Sequence, residues 1–366
     1  MDKDRTVFRQ PALVRELAAA LNGEARGLGP LKVMHVCGTH EHEIGRYALR
    51  KLLPSNLALV AGPGCPVCIT PASAIATIMH LALSDKRPVV CAYGDIVRVP
   101  VEEGSLLATR KNGADVRIVI GPRDAIRTAC ENPDRPVVFF SVGFETTAAG
   151  VASLLAGRCP DNFFVYCCHR YVPAALQAIA ADPDNPIDGY LLPGHASVIT
   201  GARAYAFLPE RFDRPAAIAG FEPVDILSGL LSLVRQIRTN RPAVANCYPR
   251  AVRTEGNLRA QEAMDRVFFR SDASWRGIGV LPDTGLILRK GYAQLDALTA
   301  LGMEERQAQD KLPGCSCHLV IMGRSLPEDC KLFKTACTPE DPKGPCMVGA
   351  EGTCRARYLF PEDEDV

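Results

Sequence analysis

The chain has 366 residues, 47% hydrophobic and 23% charged, with a formal net charge of +1 at pH 7. That balance, with no long Lys/Arg run, excludes nucleic acid and an anionic membrane as principal partners, because both are read through clustered basic side chains. No stretch approaches the ~18–20 apolar residues that cross a bilayer. The charged start MDKDRTVFRQ lacks the apolar core of a signal peptide, so a cytoplasmic location is the expectation.

Taken in chain order, residues 1–28 hold one helix, PALVRELAAALN, expected to pack on a third domain. Short β-branched runs then alternate with helical patterns. The strands are LKVMHVCG, NLALVAGPG, PVVCAYGD, VRIVIGP, RPVVFFSVGFE, NFFVYCCHR, DGYLLPGH and PAAIAGFE. Between them lie EHEIGRYALRKLL, PASAIATIMHLAL, RDAIRTAC, TTAAGVASLLA, VPAALQAIA and SVITGARAYAFL. Alternation of this kind indicates βαβ units, with parallel sheets covered on both faces. Eight strands exceed what one doubly wound sheet commonly needs. The pattern therefore predicts two doubly wound parallel-sheet α/β domains, 29–120 and 121–225. After residue 225 come longer amphipathic helices, DILSGLLSLVRQI and NLRAQEAMDRVFF. From about 313 regular periodicity fades. The span 226–366 is predicted to be a helical, loop-rich third domain that needs a metal or cross-link to hold its shape.

Fifteen cysteines are many for a reducing compartment, where structural disulfides are rare, and point to metal or redox chemistry. Cys91, Cys130, Cys159, Cys167, Cys168 and Cys247 lack ligand spacing and read as small buried hydrophobes. The tail reads C-x-C-x12-C-x6-C-x8-C-x7-C, through Cys315, Cys317, Cys330, Cys337, Cys346 and Cys354. Zinc modules usually carry two C-x2-4-C knuckles, and this tail has none. Its wide gaps favour an iron–sulfur cluster over zinc, with both left open. In GPGCPVCIT, Cys65 and Cys68 can close a disulfide across one turn, with the helix N-terminus favouring the first thiolate.

Ligands of open α/β sheets bind at the carboxyl ends of strands. Here those ends carry Cys37, His40 and Glu41, then Cys65 and Cys68, Asp95, Glu145, Cys168-His169 and His195. Their concentration predicts a cleft lined by thiols, histidines and carboxylates. Asp95 and Glu145 also suit helix caps, and His42 and Glu43 read as a solvated helix face. No P-loop and no G-x-G-x-x-G occurs.

Five motifs in order, CGTHEHEI, GPGCPVCIT, GFETTA, PGHASVI and a C-x14-C-x6-C-x16-C tail with GPCMVGAEGTC, resemble the HypD family of [NiFe]-hydrogenase maturation proteins. The resemblance runs from about residue 30 to the C-terminus. It implies an assembly scaffold with redox activity rather than a metabolic enzyme. Such a scaffold would work with a HypC-type chaperone on the Fe(CN)2CO unit of hydrogenase, with cyanide from HypE, itself supplied by HypF. It also implies two α/β domains and a third with a [4Fe-4S] cluster on Cys315, Cys330, Cys337 and Cys354, leaving Cys317 and Cys346 as extra thiols. Cys37 would hold the transient iron, and Cys65 and Cys68 would pass electrons. His40, Glu41, Glu145 and His195 complete the candidate site. LFKTAC departs from the family pattern, which commonly has glycine after the phenylalanine. The competing readings are an iron–sulfur-linked thiol–disulfide oxidoreductase and a zinc-stabilised binding protein.

Overall fold

The computed structural model of the chain describes residues 7–361. The helix α1 (Pro11–Ala25) starts on proline, which presets φ for a first helical turn. Most of the strands that follow run into a helix. β1 (Leu31–His35) leads to α2 (Gly38–Arg46), and β2 (Leu57–Ala61) to the one-turn α3 (Pro66–Ile69) and to α4 (Ala72–Ala82). After β3 (Val89–Ala92) come β4 (Asp115–Ile118) with α5 (Pro122–Glu131), β5 (Val137–Gly143) with α6 (Glu145–Leu155), and β6 (Phe163–Arg170) with α7 (Val172–Ala180). Then follow β7 (Gly189–Pro193) with α8 (Gly194–Thr200) and α9 (Phe207–Phe212), β8 (Ala216–Ala219) with α10 (Pro223–Thr239), and β9 (Val244–Asn246). α11 (Leu258–Val267) runs straight into the hairpin β10 (Phe268–Trp275) and β11 (Gly279–Leu288). Beyond it only short helices remain: α12 (Ala297–Leu301), α13 (Cys317–Val320) and α14 (Thr353–Leu359).

The strands form two sheets, in the orders β2-β1-β7-β8-β9 and β10-β11-β6-β5-β3-β4. Every pair in the first is parallel. In the second, β4-β3-β5-β6 are parallel and the hairpin is antiparallel. Alternate residues go to opposite faces of a strand, and the cores divide accordingly. In β3 and β5, Val90, Ala92, Val138 and Phe140 enter one core, and Val89, Cys91, Val137 and Phe139 the other. In β1 and β7, Met34, Tyr190 and Leu192 face one core, and Leu31, Val33 and Leu191 the other. The central parallel strands of both sheets are thus buried on both faces, the α/β class that the alternation predicts.

The chain does not fill one sheet before starting the next. Sheet pairing crosses residue 120 in both directions: β5 joins β3 through Val89↔Val137, while β7 joins β1 through Val33↔Gly189. The division at 120 assumed that neighbours in sequence share a sheet, and the crossover connections override that. The hairpin β10–β11 lies where the sequence reading saw no strand. Its outward side pairs Phe269 with Ile287, both about 40% exposed, so the apolar-in, polar-out alternation is blurred. SVITGARAYAFL is not one helix. It breaks at Gly201 (φ +79°), where a Cβ would lie 2.4 Å from the backbone of Gly256.

α1 packs along α10, which covers the first sheet rather than the cysteine-rich tail. That tail does not fold around its own core. Cys317, Ile321, Phe333, Cys337, Met347 and Cys354 join the cluster that also holds Cys65, Cys68 and Trp275. Among the described residues no helix is long and apolar enough to cross a membrane.

Candidate functional site

Cys37 is the second residue past β1 and the N-cap of α2, in extended conformation. Glycines on both sides let backbone approach it. A Cβ on Gly64 would fall 2.2 Å from the Cys37 nitrogen, and one on Gly38 would fall 2.4 Å from Cβ of Glu351. The Gly38 N–H donates to the Gly64 carbonyl at 2.9 Å. The Cys37 Sγ lies 3.8 Å from Nδ1 of His195, the second residue of α8 at the end of β7. Burial pushes the Cys37 thiol up to about 12, with the Glu351 carboxylate adding to it. Burial also lowers His195, against the pull of Glu351 and Glu145. Both shifts favour the uncharged forms of the pair.

Glu145 opens α6 at the end of β5, in the other sheet. Its Oε1 accepts the Val172 N–H at 2.6 Å, and its Oε2 is buried without a partner among the described residues. Burial raises this carboxyl to about 7, against its own and the Val172 backbone N–H groups and His195. A carboxyl poised there can take or give a proton near neutrality.

Glu41 is a different kind of carboxylate. Burial opposes its charge, but Arg50 and His35 outweigh it and hold it well below the usual carboxylate range. Its Oε2 accepts from His35 Nε2 and Arg50 Nη2, both at 2.6 Å, and Oε1 lies 3.6 Å from Nε of Arg357 in α14. It therefore ties α2 to the tail. His40 donates from Nε2 to the Gly220 carbonyl at 2.9 Å, and burial takes it down to about 3. Both brace the turn that presents Cys37. His42 is half-buried, edge-on to Phe360 at 5.2 Å, so it is not the solvated residue expected.

Cys65 and Cys68 form a disulfide with their Cα atoms 5.3 Å apart. The Cys65 Sγ also accepts the Cys68 N–H at 3.2 Å. The turn at Pro345–Met347 packs on α3, with the Pro345 carbonyl 4.0 Å from Cys68 Sγ. The tail thiols stand behind it. Cys317, Cys346 and Cys354 have their sulfurs within 4.8 Å of one another, all buried, a set that could hold a metal ion. Cys354 is the one predicted cluster ligand in this triad; the other two are the thiols read as extra. Cys315 joins through a hydrogen bond to Cys317, which with Arg276 pulls it down to about 6 against burial. A Cβ on Gly344 would sit 2.5 Å from Cys315 Sγ and 2.7 Å from Cys317 Sγ. Cys337 Sγ accepts the Lys343 N–H at 3.3 Å, and Cys330 Sγ lies 3.7 Å from the Gly314 carbonyl.

Other strand-end residues lie apart from Cys37. His169 points into the second sheet, 2.8 Å from Ser141 Oγ, and Cys168 is core. Asp95 pairs with Arg98 at 3.1 Å. Of the cysteines read as buried hydrophobes, Cys91 and Cys168 are buried, Cys159, Cys167 and Cys247 are half-buried, and Cys130 is exposed.

Two site residues escaped the sequence reading. Phe221 has its ring 5.1 Å from His40 and 5.3 Å from His195. The GFE echo at 143–145 and 220–222 was its signal. Glu351 reaches Thr39 Oγ1 at 2.9 Å and faces Cys37 from the tail. Its signal was GAEGTC, where the cysteines drew the attention.

A family model described as HypD, hydrogenase formation hypA family, matches residues 12–361. The hydrogenase maturation factor HypD2 of Bradyrhizobium diazoefficiens is 44% identical, over 98% of this chain and 97% of the relative. The hydrogenase maturation factor HypD of Escherichia coli K12 is 40% identical, over 98% of each. A hydrogenase expression/formation protein of Methanocaldococcus jannaschii is 40% identical, over 95% of this chain and 97% of the relative.

Proposed function

The chain belongs to the HypD family of hydrogenase formation proteins, and on that footing we propose that it is a cytoplasmic scaffold assembling the Fe(CN)2CO unit of [NiFe]-hydrogenase. The single observation that carries this reading is the Cys37 thiol, buried at a strand end and 3.8 Å from His195. Soft thiolate suits ferrous iron carrying strong-field ligands. One protein thiolate alone leaves that iron under-coordinated, so a HypC-type chaperone supplies the second. HypE, supplied by HypF, delivers cyanide.

Iron is the cargo here, and the chain's own groups prepare its seat. Binding replaces the S–H bond of Cys37 by S–Fe and releases one proton. His195 Nδ1 accepts it, becoming imidazolium, and the nearby Glu145 steadies that charge as its own proton passes to solvent. Phe221 stacks on His195 and keeps water off the ring. Glu41, clamped by Arg50 and His35, holds α2 in place and does not exchange protons near neutral pH.

The tail suits a resident [4Fe-4S] cluster in donor chemistry: it offers thiols only, a Lys343 amide hydrogen bond to one sulfur, and a glycine where a side chain would collide with two others. In this reading Cys315, Cys330, Cys337 and Cys354 hold it, with Cys317 and Cys346 alongside. Bound there, the cluster supplies electrons one at a time. Cys65 and Cys68 lie between the tail and the start of the first sheet, and exchange two electrons by opening and closing their disulfide.

The test is infrared spectroscopy of the chain co-purified anaerobically with its chaperone. Bands of iron-bound cyanide and CO are expected, and they vanish in Cys37→Ala. Their survival in that variant would rule out Cys37 as the iron ligand.

A further inference from the structure

Arg276 sits in the turn between β10 and β11, only 2% exposed. Its backbone N–H donates to the Ile69 carbonyl at 2.8 Å, which fixes it beside the last residue of α3. Nε donates to the Asp310 carbonyl at 3.2 Å and Nη2 to the Pro100 carbonyl at 3.0 Å. Nη1 is buried with no hydrogen-bond partner among the described residues. An unpaired donor on a buried cation costs free energy and calls for a partner. Arg276 lines a small cavity together with Cys68, Cys315, Cys317 and Pro345. The carboxylate nearest this cation, Asp310, has both oxygens engaged by the Ala72 and Gly277 N–H groups.

We propose that Arg276 is the positioning cation for the Cys68 thiolate, waiting for the charge that appears when the Cys65–Cys68 disulfide opens. This rests on the reading of Cys65 and Cys68 as a redox pair. Opening by a small dithiol proceeds in two displacements. One thiolate of the dithiol attacks Cys65 Sγ, the Cys65–Cys68 bond breaks, and its electron pair leaves on Cys68. The second thiolate attacks the sulfur now joined to Cys65, giving the oxidised dithiol and a Cys65 thiolate. Two electrons have passed to the protein, and the two protons of the dithiol go to the buffer. The two thiolates then have separate partners. Cys65 keeps the Cys68 N–H, and Cys68 meets the spare Nη1 of Arg276. Arginine suits the task because it stays charged when buried. Stabilising the leaving thiolate makes the disulfide easier to reduce.

The experiment equilibrates the full-length protein anaerobically with dithiothreitol buffers and reads the Cys65/Cys68 peptide by differential alkylation and mass spectrometry. Arg276→Gln, and Arg276→Met (which keeps the buried stem), lower the equilibrium constant for reduction about tenfold, a potential about 30 mV more negative. Arg276→Lys keeps the charge and stays close to the native value. An unchanged constant in the neutral variants, or equal shifts in the neutral and lysine variants, overturns the role of Arg276. A native pair that cannot be reversibly reduced at all removes the redox reading itself, a separate outcome visible before any variant is made.

Discussion

Cys37 and Cys354 are both buried cysteines at the N-terminal end of a helix, yet the chain around them is built on different terms. The Cys37 region is a strand end. Parallel pairing fixes β1 on both sides, close-packed glycines hold the turn, and Glu41 and His40 bond the helix that follows. The fold itself holds the Cys37 thiol in place. The Cys354 region has short helices and turns, and the sulfurs of Cys317, Cys346 and Cys354 lie within 4.8 Å of one another. Sheet architecture positions a single buried thiol; the loop-rich tail instead gathers several thiols that could hold a metal ion. Glu41–Arg357 and Thr39–Glu351 join the two, so the tail both closes the Cys37 site and depends on it.

The largest expected effect falls on the tail. Cys354→Ala removes a sulfur shared by the geometric triad and the motif-derived ligand set. Metal binding and folding are coupled in such segments, so bound iron should drop to background and limited proteolysis should cut within 313–361. Both sheets should keep their protection in hydrogen exchange. Iron content and exchange mass spectrometry on the same anaerobic sample check this; intact iron would show that the tail does not depend on that thiol.

Next comes the link between the regions. Glu41 is 1% exposed, and Glu41→Gln strips the charge that neutralises Arg50 and Arg357. Breaking a buried pair costs about 3–5 kcal/mol. Because the folded pKa is depressed, this contribution is present above the unfolded value of ~4.3 and is lost as pH falls below it. Urea midpoints should therefore differ fully at pH 7 and converge in acid.

Glu145 predicts the opposite pH course. Its folded pKa is raised to about 7, so between ~4.3 and that value the native state binds more protons than the unfolded one, and stability falls as pH rises. Glu145→Gln should flatten that limb and be more stable than native by about 1–3 kcal/mol at pH 8, while failing to support iron loading at Cys37. A native limb already flat from pH 5 to 8 would contradict the protonation role.

The smallest effect is at Lys334, in the left-handed region at φ +58°, where the family pattern commonly has glycine. Its ammonium lies 5.9 Å from the Phe333 ring centroid, which offsets part of the strain. Lys334→Gly should stabilise the tail by about 0.5–1 kcal/mol, measured by thermal unfolding of the metal-loaded protein.

Much of this comparison was legible in the sequence for a physical reason: buried parallel strands need continuous apolar runs, and those runs named all eight parallel strands of 31–219. The thiols and carboxylates at their ends followed from the same rule. What the sequence could not carry was pairing. Nothing local in RPVVFFSVGFE states that it lies beside Val89 rather than Tyr190. The β10–β11 hairpin escaped because exposed Phe269, Val280 and Ile287 blur its alternation. Phe221 and Glu351 escaped because their roles arise only when β8 and the tail are folded against α2. Lys334 was visible as a departure, but its cost shows only in the backbone angle.

The central claim is that the chain holds two separate iron centres, one at a strand end and one in the tail. Mössbauer spectroscopy of iron-57-enriched protein, purified anaerobically with its chaperone, tests it most directly. The native complex should show a cluster component and a distinct low-spin ferrous component, and Cys37→Ala should lose the low-spin component alone. Persistence of that component in Cys37→Ala, or loss of both components together, would contradict the account.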